Sequence, residues 1–236
     1  MQRRTPVLIV TSARPRVGKT LLARALTEFF PAQRRAVAAF DVNPDDFKLA
    51  DYLPEFAIPA DVTETRGEVA LFDQLILADE VPKVVDLSHL QFGRFFSVMR
   101  DIDFAAAAWR GGIAPMVLFV ADADERSRVS YEMLSDRFTG LPLVPVFNDN
   151  LPHFEAYRDK FPPTPNGGEP IRIPKLTSVV RSVVDRPGFS FISYVMKNGD
   201  PTAELYQWLR GLFVTFREIE VRLLLGELQP QLRRIA

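Results

Sequence analysis

Eight residues near the N-terminus, Ala13-Arg14-Pro15-Arg16-Val17-Gly18-Lys19-Thr20, constrain the fold of this chain more than any other segment. A strand-like run, Val7 to Thr11, precedes them. A helix-like run, Lys19 to Phe30, follows, with Leu21, Leu22, Ala25, Leu26, Phe29 and Phe30 on one side. A turn between such segments directs its backbone N–H groups and the helix N-terminus at an anion. Gly18 allows close approach without a Cβ. Lys19 can set a cation beside the β- and γ-phosphates of a nucleotide, and Thr20 can offer a hydroxyl to Mg²⁺.

Further along, strand-like and helix-like runs alternate, which predicts parallel βαβ units in an α/β fold with both sheet faces covered. Strands are predicted at Ala36–Asp41, Lys83–Leu87, Met116–Ala121 and Leu141–Phe147, with an edge strand at Ile171–Ile173. Helices are predicted at Phe47–Tyr52, Glu68–Leu77, Phe92–Arg100, Asp124–Phe138 and Thr202–Leu225, and Pro31 is expected to end the first helix. Pro162 to Pro174 holds five prolines and two glycines and reads as a loop rather than a domain boundary. Residues 1–236 are therefore expected to form one domain.

With 236 residues, about half of them apolar, the chain can bury a sizeable core. There is no cysteine, which excludes disulfides and thiolate chemistry, and the two histidines, His89 and His153, are too few and too far apart for a zinc site. A formal net charge of −1 argues against general attraction to nucleic acid or anionic lipid. The N-terminal apolar run is too short for a signal-peptide core, and no run reaches the roughly 18 apolar residues of a spanning helix, so the expected location is cytoplasmic.

The Ala13–Thr20 loop resembles the deviant Walker A loop of the ParA/MinD ATPases, a class that also includes dethiobiotin synthetase and related amide-forming enzymes. Three other segments carry the likeness. Phe40-Asp41-Val42-Asn43-Pro44 is similar to the acidic segment after the second strand. Val84-Val85-Asp86 is similar to the strand-end acid of Walker B, and Val146-Phe147-Asn148 to the strand end whose asparagine reads adenine, with Pro174 lying along the base. The resemblance implies a three-layer P-loop NTPase fold, with ATP and Mg²⁺ as ligands. It assigns the phosphates to Ala13, Arg14, Pro15, Arg16, Val17, Gly18, Lys19 and Thr20, and the metal to Thr20, Asp41 and Asp86. It assigns catalysis to Lys19, Asp41, Arg14 and Asn43, and the base to Asn148 and Pro174. Polar residues at strand ends are also commonplace, and Asn148-Asp149-Asn150 is a good turn in its own right. The guanine-reading pattern Asn-Lys-x-Asp is absent.

The sequence departs from the family at three positions. Ala13 stands at the first glycine. Arg14 stands at the signature lysine that reaches a partner's phosphates across a dimer, and a planar guanidinium is not equivalent to a point ammonium. Asn43 stands at the second acid; an amide can orient water but cannot take its proton, at a cost on the order of 10²–10⁴ in rate. The leading expectation is thus a slow ATPase that acts as a nucleotide-dependent homodimeric switch on a protein partner. The alternatives are an ATP-dependent biosynthetic enzyme of the dethiobiotin synthetase kind, which would need a polar substrate pocket beside Lys19, with Glu64, Thr65 and Arg66 as candidates, and a non-catalytic scaffold. Arg172, Lys175, Arg181 and Arg186 are read as a solvated face rather than a DNA-binding surface. The apolar stripe from Leu205 to Leu223 is read as packing on the sheet or a second copy rather than on a membrane. The tail Gln229–Ala236, with Arg233 and Arg234, is expected to be exposed.

Overall fold

The computed structural model describes residues 4–44, 48–152, 156–164 and 167–232. Phe47, His153, Arg233 and Arg234 lie outside them. Seven strands form one sheet in the order β3-β2-β4-β1-β5-β6-β7, and every neighbouring pair is parallel. The strands are β1 (Thr5–Thr11), β2 (Ala38–Val42), β3 (Ala57–Pro59), β4 (Lys83–Leu87), β5 (Ile113–Val120), β6 (Leu143–Asn148) and β7 (Ile171–Ile173).

The pleat divides the core in two. Leu8 and Val10 of β1 join a cluster on one face, while Val7 and Ile9 join a separate cluster on the other. On the first face lie α1 (Lys19–Ala32), α2 (Lys48–Tyr52), α7 (Ser178–Val184), α8 (Phe191–Asn198) and α9 (Glu204–Leu232). On the second lie α3 (Thr65–Leu75), α4 (Phe92–Asp101), α5 (Phe104–Arg110) and α6 (Glu125–Arg137). This is the expected α/β architecture, a parallel sheet with helices on both faces.

Strand β1 is central, and its following helix lies on the face opposite to those that follow its neighbours β4 and β5. The chain thus leaves adjacent strands in opposite directions, and a crevice opens at their carboxyl ends.

Helix α1 reaches Ala32, so Pro31 does not end it but sits in its last turn. The ring removes one donor there, and Gln33 and Arg34 close the helix on the carbonyls of Phe30 and Pro31. The stripe on α9 packs inward as expected: Phe29 of α1 meets Phe213 and Phe216 edge-on, and Trp208 stacks on Phe191. Four elements go beyond the expectation. Strand β3 is a three-residue edge with two exposed positions; α5 restarts after Asp103 in a left-handed conformation (φ 47°); and α7 and α8 are two short helices separated by Pro187-Gly188.

One buried acid ties these layers together. Glu28 of α1 has no exposed surface and accepts from Ser190 Oγ (2.6 Å), Phe191 N (3.0 Å) and Ile192 N (2.8 Å), capping α8 from outside. Burial pushes its carboxyl above the usual range, against these hydrogen bonds. Glu28→Ala orphans these donors and is expected to cost about 3 kcal/mol of unfolding free energy, measured by urea denaturation; a loss within experimental error would show that α8 needs no such cap.

Candidate functional site

Residues 12–18 bridge β1 and α1 at the centre of the crevice. Arg16 (φ 59°) and Gly18 (φ 101°) both take left-handed conformations, which bend the chain into a tight arch. A Cβ on Gly18 would lie 2.4 Å from Asn148 Nδ2, so only glycine fits. The Asn148 amide donates to Val17 O (2.9 Å), fastening the arch to the end of β6. Asn148 Oδ1 in turn accepts from Asn150 N (3.1 Å) and Nδ2 (2.8 Å). Asn150 also accepts from Leu176 N and donates to Pro174 O, which Trp208 Nε1 also reaches. Asn148 and Pro174 therefore come together, as one hydrogen-bonded network with Asn150 as the bridge.

Three strand ends converge under the arch. Asp41 and Asp86 stand opposite each other in the β2–β4 register, and neither has exposed surface. Thr20 donates its hydroxyl to Asp86 Oδ2 (2.7 Å). Asn43 donates to Asp41 Oδ1 (2.5 Å) and to the Asp86 carbonyl (3.1 Å), and Ala50 N donates to Asp41 Oδ2 (2.9 Å). Asp86 Oδ1 is buried without a partner. Burial raises the Asp86 carboxyl to about 7; neighbouring Asp41 pushes the same way, and the Thr20 bond and Lys19 oppose. Burial also raises Asp41, against the bonds from Asn43 and Ala50.

The donor set suits Mg²⁺. The orphaned Asp86 oxygen and the Thr20 hydroxyl are hard ligands, and Mg²⁺ takes one or two carboxylates and completes its shell with water and phosphate oxygens. No group of three or more His, Cys, Asp or Glu side chains that could hold a metal ion occurs among the described residues.

Lys19 is buried and donates to Arg14 O across the arch (2.7 Å). Burial lowers its pKa, while Asp86 supports its charge. Ala13 is half-buried and Val17 buried, whereas Pro15 and Arg16 form the exposed rim. Arg14 turns away from the arch: its guanidinium lies 3.4 Å from Asp124 Oδ2, while Asp124 Oδ1 caps α6 through Arg126 N.

A cavity of about 560 Å³ adjoins Lys19 and Thr20. Glu64, Thr65 and Arg66 do not line it. Arg24, Tyr52, His89 and Arg181 do, and none of these stood out as a site residue in the sequence. Arg24 carried a signal: it lies four residues after Thr20, on the same helical face, with Leu21, Leu22, Ala23, Ala25 and Leu26 around it. His89 sits near Lys19 and Arg14; burial lowers its pKa and these cations lower it further.

Two residues of the basic stretch are paired. Arg172 pairs with Asp149 (2.6 Å) and Arg181 with Asp185 (2.7 Å). No described helix is long and apolar enough to cross a membrane. No protein-family model matches the chain, and no curated protein matches it.

The raised Asp86 carboxyl has a definite pH signature. Between about 4 and 7 the folded protein holds a proton that the unfolded chain has released, so stability falls as pH rises through that window. Asp41 adds in the same direction. Thermal melts of the ligand-free protein should show a falling melting temperature from pH 4.5 to 7.5, and Asp86→Asn should flatten the slope. An unchanged slope in that variant would contradict the assignment.

Proposed function

We propose that the chain binds a magnesium nucleoside triphosphate at the Ser12–Thr20 arch, hydrolyses it slowly, and acts as a nucleotide-dependent switch between copies of itself. The supporting observation is that Lys19, Thr20 and Asp86 meet at the switch point of a parallel sheet, under an arch with room for only a glycine at position 18. When bound, Mg²⁺ polarises the phosphate oxygens and offsets their charge. Thr20 and Asp86 would hold it. Lys19 exchanges the Arg14 carbonyl for phosphate oxygens. Asp41 stays on Asn43 and the α2 backbone, fixing the segment after β2.

ATP is the nucleotide that the resemblance suggests. Asn148 is 2 % exposed, and its amide is engaged with Val17 and Asn150. We assign it a positioning role through Val17, which leaves the base to the surface around Pro174. Asn43 reaches both acids but carries no proton-accepting carboxylate, which supports slow turnover. Arg14 can contribute across a dimer only after leaving Asp124.

Calorimetry should detect ATP·Mg²⁺ binding to the wild type and none to Lys19→Ala. Size exclusion should shift the wild type towards a dimer with ATP·Mg²⁺. Steady-state turnover should be slow and rise by about tenfold or more in Asn43→Asp. Brisk wild-type turnover that Asn43→Asp leaves unchanged would refute the slow-switch reading, and absence of binding heat would leave a scaffold.

A second reading is favoured by one observation, the cavity that runs from Lys19 and Thr20 to Arg24 and Arg181. An enzyme that uses ATP to activate a second molecule needs such space next to the terminal phosphate.

A further inference from the structure

Helix α1 carries a line of polar residues into the cavity wall. Thr20, Arg24 and Glu28 recur every four residues, so they lie along one face, one turn apart. Arg24 is 2 % exposed. Its guanidinium stacks 3.6 Å from the centroid of Tyr52 and lies 5.2 Å from that of Phe191. One terminal nitrogen donates to Phe189 O (2.9 Å), and Nε is buried with no partner. Glu28 supports the charge from a distance, but its oxygens are already engaged by Ser190, Phe191 and Ile192. Burial lowers Arg24 from its ordinary value to about 10.

A guanidinium held out of water without a carboxylate in contact is costly, and the cost is recovered when an oxyanion arrives. The surroundings favour such a guest. Among the described residues, Arg16, Lys19 and Arg181 line the same cavity as Arg24, and Asp185, which pairs with Arg181, is the one carboxylate there. Asn148 and Pro174 do not line it, so the cavity lies away from the segment assigned to the base and on the side of Thr20 and Asn43.

We propose that the end of this cavity at Arg24 and Arg181, beyond the part that Gly18, Lys19 and Thr20 line, is a second ligand site that takes a small carboxylate- or phosphate-bearing molecule, its anionic group held by Arg24 with help from Arg181. This deepens the second reading above and rests on it: the ligand would sit beside the terminal phosphate of the nucleotide at Lys19. Tyr52 orients Arg24 by stacking and is itself fixed by donating its hydroxyl to Asp185 O (2.9 Å). Guanidinium suits both a planar carboxylate and a phosphate, which two probes separate.

Succinate and inorganic phosphate are titrated calorimetrically into the full chain, with and without saturating Mg·AMP-PNP, in the wild type and in Lys19→Ala, Arg24→Met and Arg181→Gln. The expected result is that at least one probe binds the wild type with nucleotide present and binds Lys19→Ala without it. Its affinity should fall by about tenfold or more in Arg24→Met and in Arg181→Gln, while both variants keep AMP-PNP binding. Arg24→Lys should restore part of the affinity. Should Arg24→Met not fold, Arg181→Gln and Arg24→Lys carry the test. If neither probe binds the wild type, or Arg181→Gln and the foldable Arg24 variants bind as it does, the proposal is overturned. Phosphate binding lost only in Lys19→Ala places the anion at the arch and overturns the second site while leaving nucleotide binding intact. Absence of AMP-PNP binding instead removes the nucleotide reading, whatever the probes do.

Discussion

Two carboxylates without access to water, Asp41 and Asp86, stand side by side at the ends of adjacent strands, and the site is organised around containing them. Like charges so placed cannot both ionise cheaply. The fold answers with hydrogen bonds and a nearby cation: Thr20 and Asn43 donate to the pair, and Lys19 contributes charge. A third carboxylate at position 43 would intensify the repulsion. The amide there therefore has a structural rationale.

The arch over these acids is held from the far side of the sheet. Its tightest point faces Asn148, whose amide grips Val17. The loop is thus coupled to β6, to Asn150 and onward to the Pro174 carbonyl beneath α9. A chain of hydrogen bonds, through Asn150 and Asn148, thus joins the segment after β7 to the arch. On the other side, Arg14 is tethered to the start of α6. Of the three cations of the arch, Lys19 and Arg14 rest on protein partners, and Arg16 stands on its exposed rim.

Much of this was legible in the sequence where local chemistry decides it. Gly18-Lys19-Thr20 between a strand and a helix marks the turn from local pattern alone, and the resemblance of the segments that close two apolar runs brings Asp41 and Asp86 to it before any coordinates are known. Residues whose role depends on distant partners were opaque. Asn148 looks like a base reader or a turn, because its partner Val17 is 131 positions away. The place of Arg24 was hidden because Tyr52 and Phe189 reach it only through the tertiary fold. Edge strand β3 is too short for periodicity, and α5 begins at a non-glycine residue in a left-handed conformation that no motif announces.

The two borders of the sheet carry a consequence of their own. Strands β3 and β7 are three residues each; the first ends in Pro59, which lacks an amide hydrogen, and the second has charged Arg172 at its centre. Lengthening the sheet by strand addition would therefore gain few hydrogen bonds at either margin. Self-association by that route is blunted, which steers any meeting of two molecules towards their helical faces or the loop-bearing rim.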